Sequence, residues 1–350
     1  LRESSVEYVN FGSAGVKVSP IALGLSFRGL SSPDVAQRVI EHAIDSGINF
    51  LDCSNFYAPM DGRDPMVPLS EEILGRVLKT RRDEVVITSK VFNRVGRGPN
   101  DGGSSRYHIM QEVEGSLRRL GTDRIDVYLL HAYDPDTPLE ETLRVLDDLV
   151  TSGKVRYVGC CNFAAWQVCN SLWTADRINA DPFICVQNPY SLLNRSLEAE
   201  MFGLVRNQGL GVMVYSPLGV GLLSGAYTPG EAPPPGSLWS IKDRARYKAS
   251  MSGHTSAILE TVRAIAIERG KSQAQVALNW VISKPEVTVA ISGNDTIEQL
   301  DDNLGAVNWA LSEEEMARLD EVSAGSKMEF SNLETVENPR LHSGRVATSR

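Results

Sequence analysis

The chain contains no run of about 20 apolar residues, so it offers no candidate membrane-spanning helix. Its first residues, LRESSVEYVNFG, lack the charged, apolar and small-residue regions of a signal peptide. A cytoplasmic protein with no membrane partner is therefore expected. Basic charge is also short. Thirty-five Lys and Arg stand against 44 Asp and Glu, a net charge of -9, which argues against a nucleic-acid partner. The five cysteines are odd in number and form no C-x-x-C pair, so reduced core residues are expected rather than a disulfide framework. Cys160 and Cys161 are neighbours and would point to opposite faces of a strand. None of the five histidines forms an H-x-x-x-H pair, and no metal is expected. Finally, no G-x-G-x-x-G follows the first strand-like run, which removes the phosphate cradle of a Rossmann domain.

What the chain does have is eight short, nearly continuous apolar runs: PIALGLS (20–26), INFLDCS (48–54), EVVITSKV (84–91), RIDVYLLH (124–131), VRYVGCCN (155–162), FICVQNPY (183–190), LGVMVYSP (210–217) and EVTVAISG (286–293). Such runs suit parallel strands covered on both faces, and the segments between them have helical periodicity. SEEILGRVLKT opens with Ser and acidic residues, and DPDTPLEETLRVLDDLVTSGK runs to a Gly stop. Eight β/α units predict a closed (β/α)8 TIM barrel, one domain over residues 1–350, with the barrel at about 8–325 and a tail at 326–350. YVNFGSAGVKVSP reads as an N-terminal β-hairpin capping the closed bottom. The Pro- and Gly-rich stretch after the seventh strand is too long for an ordinary connection. With Trp239, Lys242, Arg244, Arg246 and Tyr247 it reads as a lid.

In this architecture chemistry gathers at the C-terminal strand ends. Asp52 and Tyr57 fall at the exit of the second run, Lys90 near the end of the third, and His131 at the end of the fourth. A lysine beside a tyrosine favours the phenolate and makes the phenol a usable proton donor and acceptor. A carboxylate would keep that lysine charged, and an imidazole could hold a substrate oxygen or share the proton. Taken singly, each residue is more often a rim charge or packing. On three successive strand ends they are much more specific.

At these residues the sequence resembles the aldo-keto reductase superfamily, over nearly the whole chain. FLDCSNFY, VITSKV and DVYLLH place Asp52, Tyr57, Lys90 and His131 on that family's catalytic tetrad. The resemblance implies an NAD(P)H-dependent oxidoreductase that reduces an aldehyde, ketone or sugar carbonyl, reversibly, by hydride transfer from nicotinamide C4 with Tyr57 as proton donor. By the same similarity, Asn162 and Gln187 would hold the carboxamide and Tyr215 would stack on the nicotinamide. Ser216, Leu218, Gly219 and Gly221 would line the pyrophosphate. Gly293, Asp295, Gln299 and Asn303 would lie at the adenosine end. Cys161 stands where the family usually has Ser, and Asp295 where Lys, Arg or Ser often meets the 2'-phosphate of NADP. NADP is the family default, and Asp295 makes NAD an alternative. Phe27, Arg28, Phe56, Phe92 and Tyr133 are substrate-pocket candidates, and the insertion after Tyr57 carries Asp61, Arg63 and Asp64. The partner implied is a small-molecule carbonyl or sugar, with homo-oligomerisation left open. The alternatives are a nicotinamide-binding regulatory subunit resembling potassium-channel β subunits and a barrel lyase or epimerase that uses the same Lys and His without a nicotinamide.

Overall fold

The computed structural model describes residues 6–26, 32–57, 69–237, 239–240, 244–251 and 253–328. Strands β1 (Val9–Asn10) and β2 (Lys17–Val18) pair antiparallel. The chain then alternates strand and helix: β3 (Ile21–Gly24), α1 (Pro33–Asp45), β4 (Phe50–Asp52), α2 (Leu69–Arg81), β5 (Val86–Val91), α3 (Arg106–Leu120), β6 (Ile125–Leu130) and α4 (Leu139–Thr151). It continues with β7 (Val155–Cys161), α5 (Ala165–Ile178), β8 (Cys185–Pro189), α6 (Met201–Gln208), β9 (Gly211–Tyr215) and α7 (Arg244–Ser250). Last come α8 (His254–Arg269), α9 (Gln273–Ile282), β10 (Val289–Gly293), α10 (Ile297–Leu304) and α11 (Glu313–Val322). Strands β3 to β10 pair in chain order, and β10 returns to β3 with Ala290 beside Ile21 and Gly293 beside Gly24. This is a closed eight-stranded parallel barrel ringed by helices.

The apolar runs form strands because both faces find cover. Along β6, Val127 and Leu129 join the cluster inside the barrel, while Tyr128 and Leu130 join the layer beneath the helices. Cys161 and Cys160 divide in the same way, inside and outside. Helix α1 starts with Pro33 in its first turn and buries Ala36, Val39, Ile40, Ala43 and Ile44, a stripe at helical spacing. Burial pushes the thiols of Cys53, Cys160, Cys161 and Cys185 up, so they stay protonated, and all five cysteines are unpaired.

The hairpin closes the bottom of the barrel. Phe11 packs edge-on against Phe50, with ring centroids 5.2 Å apart, at the N-terminal end of β4. Gly12 has φ 61°, and a Cβ there would lie 2.3 Å from the Gly211 nitrogen and 2.8 Å from the Gly209 oxygen. The stretch expected to be a lid differs from that reading in its aromatics. Trp239 and Tyr247 are buried in the layer outside the strands, their rings 6.0 Å apart, and Trp239 Nε1 donates to the Val220 carbonyl at 3.0 Å. They fasten this segment to the core because large aromatics contribute more by burial than by exposure. Lys242, the side chains of Arg244 and Arg246, and tail residues 329–350 lie outside the described residues.

Gly12→Ala is expected to destabilise the fold by about 2 kcal/mol or more, since its methyl meets backbone rather than a flexible side chain and φ is positive. Urea unfolding measures this. An unchanged midpoint would mean the hairpin does not bear on the barrel floor.

Candidate functional site

Within β5, period-two alternation sends Val86, Thr88 and Lys90 to one face, so Lys90 points into the barrel mouth. A lysine there is without solvent, and its three protons need acceptors. They find them. Lys90 Nζ donates at 2.8 Å to each oxygen of Asp52 and at 2.8 Å to the Cys53 carbonyl. Lys90 is fully buried and Asp52 is 3% exposed. Burial pulls the ammonium down, but the charge and hydrogen bonds of the Asp52 carboxylate outweigh it, so Lys90 holds its proton above the ordinary lysine range. Asp52 also accepts from Thr88 Oγ1 at 2.5 Å and from Gln187 Nε2 at 2.8 Å.

Above this pair stand the two remaining members. The Lys90 ammonium lies 4.7 Å from the centroid of the Tyr57 ring, and the His131 ring meets Tyr57 edge-on at 5.8 Å. The loop bearing Tyr57 is tied at both ends of the turn: Tyr57 N–H donates to Ser54 O at 3.3 Å, and Ser70 N–H of α2 donates to Tyr57 O at 3.2 Å. Asn55 Nδ2 adds a bond to Glu112 Oε2 of α3 at 2.9 Å. Arg119 then links Glu112, at 3.6 Å, to Glu71, at 2.6 Å, and Ser89 of β5 donates to Glu71 at 2.5 Å. His131 is held by its N–H on Val91 O at 2.8 Å and by Asn162 Nδ2 on its own carbonyl at 2.9 Å. Its Nδ1 faces Asn93 Nδ2 at 3.0 Å.

Around the rim, Asn162 has φ 59°, and its Oδ1 accepts the Tyr215 hydroxyl at 2.8 Å. Gln187 lies one level deeper, 2% exposed, with its amide nitrogen on Asp52. After β9 the chain turns tightly: Ser216, Gly219, Val220 and Gly221 all have positive φ, Gly219 N–H returns to Ser216 O at 2.8 Å, and Leu223 N–H to Leu218 O at 3.1 Å. Gly293, exposed at the end of β10, has nothing within 4 Å of where a Cβ would be. Gln299 Oε1 accepts the Asp295 N–H at 2.8 Å, and the Asn303 amide is buried, donating to Ser292 Oγ at 2.9 Å and Asn294 Oδ1 at 2.6 Å. Of the substrate candidates, Phe56, Phe92 and Tyr133 are half-buried, and Tyr133 packs on Phe163 and Trp166 at 5.3 and 5.9 Å. Phe27, Arg28, Asp61, Arg63 and Asp64 lie outside the described residues.

A sequence profile of the Aldo/keto reductase family matches residues 20–324. The chain belongs to the aldo/keto reductase family. It is 34% identical over 329 residues to the uncharacterized oxidoreductase YrpG of Bacillus subtilis (strain 168), covering 91% of this chain and 97% of that protein. It is 33% identical over 311 residues to probable voltage-gated potassium channel subunits beta of Arabidopsis thaliana and of Oryza sativa subsp. japonica, covering 87% of this chain and 92% of each.

In this aldo/keto reductase, Asn162 and Tyr215 offer an amide and an aromatic ring side by side, and the 216–221 turn offers a glycine-lined backbone. Those are the groups that could hold a flat, amide-bearing ring and a diphosphate. The amide nitrogens of Asn162, Gln187 and Asn303 all donate within the protein, to the His131 carbonyl, to Asp52, and to Ser292 and Asn294. Among the described residues, no group of three or more His, Cys, Asp or Glu could hold a metal ion, and no helix is long and apolar enough to cross a membrane. Sequence reasoning missed Asn93, Asn55, Glu71, Glu112 and Arg119. Glu112 left one signal: it falls at helical spacing among the buried His108, Ile109, Val113 and Ser116.

Removing either charge of the Asp52–Lys90 pair leaves the other buried and unmatched. Asp52→Asn and Lys90→Met should each cost about 3–5 kcal/mol of stability, and the double variant less than their sum. Denaturant titration of the four proteins checks it. Additive losses would mean that the pair is not energetically coupled.

Proposed function

We propose that the protein is an NAD(P)H-dependent oxidoreductase that reduces the carbonyl of a small aldehyde, ketone or sugar to an alcohol in the cytoplasm, and runs in reverse. The observation that carries this reading is the Lys90 ammonium set against the Tyr57 ring with the His131 ring edge-on beside it. Family membership and the similarity to an oxidoreductase add support.

The dinucleotide, when bound, supplies the hydride. Asn162 and Tyr215 would hold its nicotinamide end, the 216–221 turn its diphosphate, and Gly293 and Asp295 would face its adenosine. Tyr57 gives its phenolic proton to the carbonyl oxygen. Lys90 makes the phenolate left behind less costly, because a fixed positive charge in a dry site stabilises the anion strongly. Asp52 keeps Lys90 charged, so the lysine acts as a constant field rather than as an acid. His131 orients the carbonyl oxygen. The similarity to probable channel β subunits supports a second reading, a dinucleotide-binding regulatory subunit. Turnover separates the two.

A panel of carbonyls assayed with NADH and NADPH in parallel is the direct test. Tyr57→Phe should retain dinucleotide binding and lose turnover by about 10²–10⁴-fold, the usual size of a general-acid contribution. Binding without turnover of any carbonyl by the wild type would favour the regulatory reading.

Asp295 bears on cofactor choice, since a carboxylate would repel a 2'-phosphate. A charge pair at about 4 Å near the surface is worth a few kcal/mol before screening, and each ~1.4 kcal/mol is tenfold. Asp295→Arg is therefore expected to raise the NADPH-to-NADH preference by at least about tenfold, more at low salt. An enzyme whose preference does not move has its ribose away from residue 295.

A further inference from the structure

Immediately after β5, Phe92 has φ 148°, a conformation that bulky L residues rarely adopt. Strain of this kind persists only where its surroundings enforce it, and it clusters at functional sites. Here the enforcement is visible. Gly103 N–H donates to Phe92 O at 2.7 Å, and Val95 N–H donates to Asp101 O at 2.9 Å, so the loop closes on itself. The next residue, Asn93, is only 9% exposed, and its side-chain nitrogen lies 3.0 Å from His131 Nδ1.

An amide nitrogen donates and cannot accept. A neutral imidazole has one protonated and one bare nitrogen, and the partner of one decides the state of the other. With the Asn93 amide donating to it, Nδ1 is the bare nitrogen and the proton sits on Nε2. Ser54 Oγ is a more distant neighbour of Nδ1, at 3.4 Å, and already accepts the Phe56 N–H. The main chain of His131 is fixed on both sides by Val91 and Asn162. The residue is thus held at its backbone and at Nδ1.

We infer that Asn93 is a positioning residue that holds His131 as the Nε2–H tautomer, so that the imidazole donates a hydrogen bond to the carbonyl oxygen instead of competing for the Tyr57 proton. The tautomer is inferred from the Asn93 amide nitrogen facing Nδ1, and its consequence for catalysis rests on the proposed reductase function. An imidazole bare at Nε2 would accept from the phenol and hold its proton back from the substrate.

The test is ¹⁵N NMR of the histidine-labelled full chain, with the His131 signals assigned by their loss in His131→Gln. At a pH where the ring is neutral, His131 should show a bare Nδ1 and a protonated Nε2. Asn93→Asp replaces the donor with a pure acceptor and should put a proton on Nδ1. The same variant should lower kcat/KM for carbonyl reduction at least about tenfold while dinucleotide affinity stays within about twofold. A wild-type His131 protonated at Nδ1 overturns the inference, and that spectrum needs no variant to fold. So does an Asn93→Asp protein whose Nδ1 remains bare. A tautomer that switches as stated in a protein that turns over no carbonyl upholds the positioning role and removes the reductase reading.

Discussion

The ion pair between Lys90 and Asp52 is the interaction on which the rim depends. Two opposite charges on neighbouring strands are sealed from water in the barrel mouth, and every proton of the ammonium has an acceptor. Burying such a pair rarely adds stability over apolar packing, so its presence argues for a role in chemistry. It also fixes register. A one-residue slip of β5 would turn Lys90 toward the helices and leave Asp52 buried without its counter-charge, a cost of several kcal/mol. Thr88 and Gln187 saturate the carboxylate from two further directions, joining β4, β5 and β8 at one point.

From that point the constraint spreads outward in two directions. Through Asn55, Glu112, Arg119 and Glu71, the turn that presents Tyr57 is anchored to α2 and α3. Through Val91, Asn93 and Asn162, His131 is anchored to its neighbours on either side. The phenol and the imidazole are therefore set on rigid elements even though each belongs to a loop or a strand end. Relatives named for an oxidoreductase and for channel subunits match this chain at similar identity over most of its length, so function is to be argued from the site and not from the fold.

The barrel was legible in the sequence because strands covered on both faces must be apolar at nearly every position, and eight such runs leave little else to build. Asp52 and Lys90 stood out for the same reason, as charges at the ends of apolar runs. Asn93 did not, since an asparagine beside a Gly-rich loop looks like ordinary turn chemistry. Only the third dimension sets it against a histidine 38 residues away. Gln187 and Asn303 show a different limit: residue type indicates what a side chain can bond, and packing decides with what. Trp239 and Tyr247 read as lid aromatics because their segment is long and rich in Pro and Gly, yet the apolar layer beneath claims both rings.

The central claim is that the buried pair exists to hold a positive charge against the Tyr57 phenol. The most direct measurement is the titration of Tyr57, labelled at its ring carbon Cζ, followed by NMR in the wild type and in Lys90→Met and assigned by its absence in Tyr57→Phe. The wild-type phenol should ionise at a lower pH than the phenol of Lys90→Met, by at least about one unit, since each unit is about 1.4 kcal/mol of charge interaction. Identical titrations in the two folded proteins would contradict the account.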